Sequence, residues 1–165
     1  MNVILPLGGV LLCGSALLFA ALWDLPPAER ARLQAIVFAG FAARLLLALI
    51  FETFPALRIT HDDASGYEGS AIAMARYWQG AGPPVVRATQ GLHNYGYYYI
   101  GGALCYIFGP YRLNLSAWNA LFGALTIVVL YRLTADLFHH AVALRAARLF
   151  AFMPSMITWS AVAIK

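Results

Sequence analysis

From Asn2 to Trp23 the chain carries no charged residue over 22 consecutive positions. A helix of that length reaches across the roughly 30 Å hydrocarbon core of a bilayer. A second run, 33–51, is interrupted only by Arg44; a third, 113–131, is uncharged; a fourth, 141–163, has Arg145 and Arg148 near its start. A water-soluble domain of 165 residues could not bury all four. The chain is 62% hydrophobic and 11% charged, against about 45–50% and about 25% in soluble domains. These runs predict an all-α membrane protein with about four transmembrane helices, organised as a single transmembrane module over 1–165.

The first run also raises the question of a signal peptide. It lacks a basic leading segment, and no small-residue cleavage site precedes Asp24, so it reads as an uncleaved span. Asp24-Leu25-Pro26-Pro27-Ala28-Glu29-Arg30 then reads as a helix start, with Asp24 as cap and the prolines in a first turn whose N–H groups lack partners. Pro55 ends that helix.

Between 52 and 112 the texture changes. Asp62, Asp63, Glu68 and a Gly/Pro loop at 80–84 fall here, and two short segments, about 65–78 and 95–108, look helical. The second carries Tyr95, Tyr97, Tyr98, Tyr99 and Tyr106. Tyrosine favours the headgroup zone, where the ring is half buried and its hydroxyl is wet. Both segments are therefore expected to be interfacial helices within one large loop.

The arginines orient the chain. Arg30 and Arg32 flank one short loop, and Arg132, Arg145 and Arg148 flank another. Short loops rich in Arg stay on the cytoplasmic side. Four spans put both loops there and leave the N-terminus and the 52–112 loop on the other side; a fifth span at 95–111 would separate them. The net charge of +4 is thus spread beside apolar runs, where it meets lipid headgroups, and nucleic acid is not an expected partner. Cys13 and Cys105 lie in apolar stretches with no metal-ligand spacing and read as packing residues.

The residues with chemical potential cluster after the second run, at Thr60-His61-Asp62-Asp63-Ala64-Ser65-Gly66-Tyr67. A carboxylate near the interface can act as a general base toward a hydroxyl. An Asp ahead of an apolar-periodic segment is equally a helix cap. The two roles do not exclude each other. Arg44 has two readings as well: a donor to a lipid phosphate, or a partner of a carboxylate or an exposed backbone carbonyl inside the protein. A guanidinium in a span costs at least about 2.5–3.5 kcal/mol, so it needs one or the other. His61, His139 and His140 read as solvated loop residues, and Arg76 and Arg87 either attract a phosphorylated donor or contact headgroups.

The pattern of Arg44 in a span followed by Asp63-Ala64-Ser65-Gly66-Tyr67 and Ala71 resembles the first outer loop of the GT-C group of membrane glycosyltransferases. That group includes protein mannosyltransferases and aminoarabinose transferases, which use sugars carried on polyprenyl phosphates. Tyr97-Tyr98-Tyr99 with Leu104 to Phe108-Gly109, the stretch from Arg112 to Asn119, Tyr131-Arg132-Leu133 with Leu137-Phe138, and Ala143 to Pro154 resemble later segments of that group in the same order. The resemblance covers roughly 33–165. It implies a transferase using a lipid-linked sugar donor, with Asp63 as catalytic base and Asp62 as its understudy. Arg44, Tyr67, His93 and Tyr97 are the residues expected to contact substrate, and Asp63 is the residue that would help hold a divalent metal, as in some members. The span at 2–23 departs from the group's pattern. The group's members also continue through further spans, so this chain is expected to be the N-terminal portion of a larger enzyme. The alternative class is a non-catalytic multi-pass membrane component, either a transporter fragment or an assembly subunit.

Overall fold

The computed structural model describes residues 4–57, 61–81 and 95–161, with 4–7, 61–64 and 95 described by their backbone alone. Among the described residues seven α-helices follow one another: α1 (Ile4–Ala21), α2 (Pro27–Thr53), α3 (His61–Trp78), α4 (Tyr95–Phe108), α5 (Arg112–Leu137), α6 (His140–Phe152) and α7 (Pro154–Ala161). Among the described residues there is no strand. α2 and α5 are long and apolar enough to cross a bilayer, and α6 with α7 makes a third such unit if the bent pair is counted as one span.

Prolines and one glycine punctuate the chain. Pro26 stands before α2 in an extended conformation and Pro27 occupies its first turn, where a missing N–H costs nothing. Asp24 does not cap this helix: α2 has no side-chain cap, and the Asp24 carboxylate instead pairs with Arg132 at 2.5 Å. At the other end, Pro55 forces Phe54 out of the helical region. A 3₁₀ turn, Pro55–Leu57, follows. Gly109, with φ of +99°, makes the tight reversal between α4 and α5, and a Cβ there would lie 2.6 Å from the Tyr111 ring.

Two expectations about helix ends are corrected. The connection left between the runs 113–131 and 141–163 shrinks to Phe138 and His139, because α5 runs on to Leu137. Arg132 is held there by Asp24 and by the carbonyl of Ala21, which lets the helix continue beyond the apolar stretch. The fourth run is not one helix. It breaks at Met153 and bends by 55°, because Pro154 has no N–H and its ring crowds the carbonyl four residues back.

α5 is the central element, packed by α1, α2, α4, α6 and α7. Gly14 of α1 faces Leu121 and the Ala21 carbonyl meets Arg132, so α1 and α5 run in the same direction. α2 and α6 run the other way: Glu29 and His140 meet Tyr131, while Gly40 lies against Ile127. The turns after α1 and after α5 therefore share one end of the bundle. Apolar burial does not drive helices together in lipid, so association rests on close packing of small residues. Ala143, Ala147 and Ala151 on one face of α6, and Ala117, Ala120 and Ala124 on α5, are all fully buried. Large apolar side chains face outward instead, among them Leu46, Val129, Leu133 and Leu149, as lipid-facing positions should.

Candidate functional site

α3 and α4 pack against the first two turns of α5, at the end of the bundle opposite those turns. They lie side by side and parallel. Tyr67 meets Tyr97 and Tyr98, with ring centroids 5.5 and 5.9 Å apart. One turn further, a Cβ on Gly101 would lie 2.9 Å from that of Ala71, and a Cβ on Gly102 would lie 2.9 Å from the Met74 side chain. The two glycines thus allow an approach that alanine would block. At 14 residues, α4 is about 21 Å long, too short to cross the hydrocarbon core. Tyr97, Tyr98, Tyr99 and Tyr106 serve the α3–α4 contact.

Three polar links fasten this pair to α5. The buried Asn114 donates to the carbonyls of Leu104 and Gly109, at 3.2 and 3.1 Å, closing the last turn of α4. Asn119 donates to the Tyr97 hydroxyl at 3.4 Å. Arg112, at the first position of α5, forms an ion pair with Glu68, whose side chain is only 2% exposed. Burial, reinforced by the nearby Glu68 charge and only partly offset by the Asn119 hydrogen bond, pushes the Tyr97 phenol up to about 12. Tyr97 is therefore a neutral hydroxyl at any physiological pH. Beside it, Tyr97, Gly101, Leu115, Asn119 and Phe122 line a mostly apolar cavity of about 150 Å³.

The sequence-predicted residues divide into three groups. Tyr67 and Tyr97 come together with Asn119. Asp62 and Asp63 lie in the first turn of α3, which begins at His61; they are inside the helix rather than ahead of it as caps. Their side chains lie outside the described residues. By helix periodicity Asp63 stands one turn before Tyr67 on the same face of α3. His93 lies outside the described residues altogether, as does Arg87.

Arg44 belongs to a different place. Its side chain is fully buried inside the bundle. Nη1 donates to the carbonyls of Gly40 and Ala151, both at 2.9 Å, and Nη2 to that of Phe150 at 3.4 Å. Of its two readings, the geometry matches the exposed backbone carbonyl: the guanidinium caps the C-terminal end of α6 where Pro154 breaks it. His140, expected to be solvated, is also engaged. Its Nδ1 lies 3.2 Å from both the Tyr131 hydroxyl and Glu29 Oε2, and Tyr131 donates to Glu29 at 2.9 Å.

Sequence reasoning passed over Glu68 and Asn119 as site residues. A signal existed for Glu68, since a carboxylate among apolar positions of a short interfacial helix needs a cation nearby. Nothing in the spacing identified Arg112 as that cation. Among the described residues, no three or more His, Cys, Asp or Glu side chains converge as metal ligands. Compared with protein-family models, with curated proteins and with solved structures, the chain matches none.

Proposed function

We propose that this chain is a module of a membrane glycosyltransferase of the GT-C kind, which moves a sugar from a polyprenyl-phosphate donor to an acceptor hydroxyl. The supporting observation is one of convergence. Three segments that carry the sequence resemblance, 63–71, 97–108 and 112–119, meet at one end of the bundle, through the rings of Tyr67 and Tyr97, the bond from Asn119 and the ion pair of Glu68 with Arg112. In this reading Asp63 removes the proton from the acceptor hydroxyl. The oxygen then bonds to the anomeric carbon with inversion, and the bond to the polyprenyl phosphate breaks, leaving that phosphate with its electron pair. Tyr67, Tyr97 and Asn119 shape the wall beside which this occurs. In this reading Arg44 serves the bundle, holding the carbonyls at the end of α6.

The same reading has four spans: α1, α2, α5, and α6 with α7. The α3–α4 pair lies in the non-cytoplasmic interface. The shared location of the turns around Arg30 and Arg132 favours it, because it gives both basic turns one side.

The decisive experiment is sugar transfer from a polyprenyl-phosphate donor, measured in membranes carrying the longest protein that contains this chain. A general base contributes about 10²–10⁴-fold, so Asp63→Asn is expected to lower transfer by that factor at unchanged protein level. Full transfer with both Asp62→Asn and Asp63→Asn in place would leave the non-catalytic membrane component as the reading. Cysteines placed at 60–66 should react with an impermeant thiol reagent from the non-cytoplasmic side.

A further inference from the structure

At the opposite end of the bundle, a groove of about 670 Å³ opens between the end of α1 and the last turns of α5. Its volume falls within the roughly 300–1,000 Å³ of small-molecule sites. We propose that this groove binds a glycerophospholipid whose headgroup carries a phosphate and a primary amine. The site is independent of the proposed transferase reading: Arg132 is 13 residues beyond Asn119 on α5, about 20 Å along the helix.

The groove has an apolar floor and a charged mouth. Leu125, Val129 and Arg132 lie along one face of α5, and Ala21 forms part of the opposite wall. The small residue at Ala21 leaves width for an acyl chain along the branched side chains. Trp23, at the mouth, is the amphipathic ring expected at headgroup level. Arg30 steadies it, donating to the Trp23 carbonyl and lying over its ring at 5.5 Å.

Headgroup chemistry follows from the pair at the mouth. Arg132 Nη2 is committed to the Ala21 carbonyl at 2.7 Å and to Asp24 Oδ1 at 2.5 Å. Among the described residues, no partner is found for Arg132 Nη1 or Nε, or for Asp24 Oδ2. The mouth thus offers a guanidinium edge next to a carboxylate oxygen. A phosphate suits the first, because guanidinium donors match its oxygens in pairs. A primary ammonium suits the second. A choline headgroup carries the same charges but has no N–H to donate to Asp24, and a purely anionic headgroup would set a second negative charge against it.

The test is native mass spectrometry of the full chain in mild detergent, with equimolar phosphatidylethanolamine, phosphatidylcholine and phosphatidylglycerol of matched acyl chains. Phosphatidylethanolamine is expected to be retained several-fold over the other two. Asp24→Asn should reduce it to the level of phosphatidylcholine, and Arg132→Gln should lower retention of all three. Val129→Trp fills the groove without touching the ion pair and should also lower all three, which keeps the test decisive if Arg132→Gln fails to fold. Equal retention of phosphatidylethanolamine and phosphatidylcholine by the unmodified chain would overturn the proposal. So would preference for phosphatidylglycerol, or retention by the Val129→Trp protein matching that of the parent.

Discussion

The Arg44 guanidinium donates to the carbonyl of Ala151 at 2.9 Å, across 107 residues of sequence. The carbonyl of Phe150 would ordinarily receive the N–H of the residue four places on, but that residue is Pro154. The 55° bend between α6 and α7 likewise takes the carbonyl of Ala151 out of a regular ladder. In hydrocarbon no water can replace those bonds, so the side chain of another helix supplies them. The charged residue in the second run and the proline in the fourth are parts of one arrangement.

Replacing Arg44 by Leu should therefore lower stability by about 1–3 kcal/mol, the range for leaving a buried acceptor unsatisfied. Pro154→Ala restores an N–H for Phe150, so the double variant should lose less than the sum of the two singles, with a coupling of about 0.5–3 kcal/mol. Thermal unfolding in detergent of the four proteins measures this cycle. Strict additivity would separate Arg44 from the helix break.

Glycines at the same junction make room for the guanidinium. A Cβ on Gly123 would lie 2.6 Å from Ser160 Oγ and 2.9 Å from Arg44 Nε, whereas one on Gly69 meets nothing within 4 Å. Gly123→Ala should cost about 1–3 kcal/mol by overpacking. Gly69→Ala, in the middle of α3, should gain up to about 1 kcal/mol from helix propensity. Opposite shifts of the melting temperature are expected, and shifts of the same sign would refute this account.

The Glu68–Arg112 pair is unequal, with side-chain exposures of 2% and 40%. Removing the guanidinium takes an ion-pair partner from a buried carboxylate, while neutralising the carboxylate leaves an arginine within reach of water. Arg112→Ala should cost about 3 kcal/mol, the low end for a broken buried pair, and Glu68→Gln distinctly less. Chemical denaturation in micelles can rank the two. Equal losses would mean that Glu68 is not shielded as the structure has it.

Tyr97 gives a pH signature. Its phenol is raised from the usual 10.0 to about 12 by burial, so the folded protein holds this proton more tightly than the unfolded chain. The resulting stability is complete below pH 10 and is lost as pH rises from there toward 12. Tyr97→Phe should flatten that part of the stability–pH curve. Ultraviolet titration of the folded protein should coincide with that of the Tyr97→Phe variant until the pH nears 12, where the parent gains one further phenolate. Ionisation of Tyr97 near pH 10 would contradict its burial.

The sequence alone determined that the chain has runs, such as 33–51 and 113–131, whose helices are apolar and long enough to cross a bilayer. The prolines at 26, 27 and 55 set the limits of α2, because these constraints are local to a few adjacent residues. It also located α3 and α4, as short segments set apart from the long apolar runs. The tertiary structure decided which partners the polar residues found. Arg44 meets a helix end 107 residues away, Glu68 meets Arg112, Asp24 meets Arg132 rather than its own helix, and His140 joins Glu29 and Tyr131. A polar side chain in a low-dielectric setting must be satisfied, and its residue type announces that need. Which donor or acceptor answers depends on how helices far apart in sequence pack, and no spacing along the chain encodes that distance.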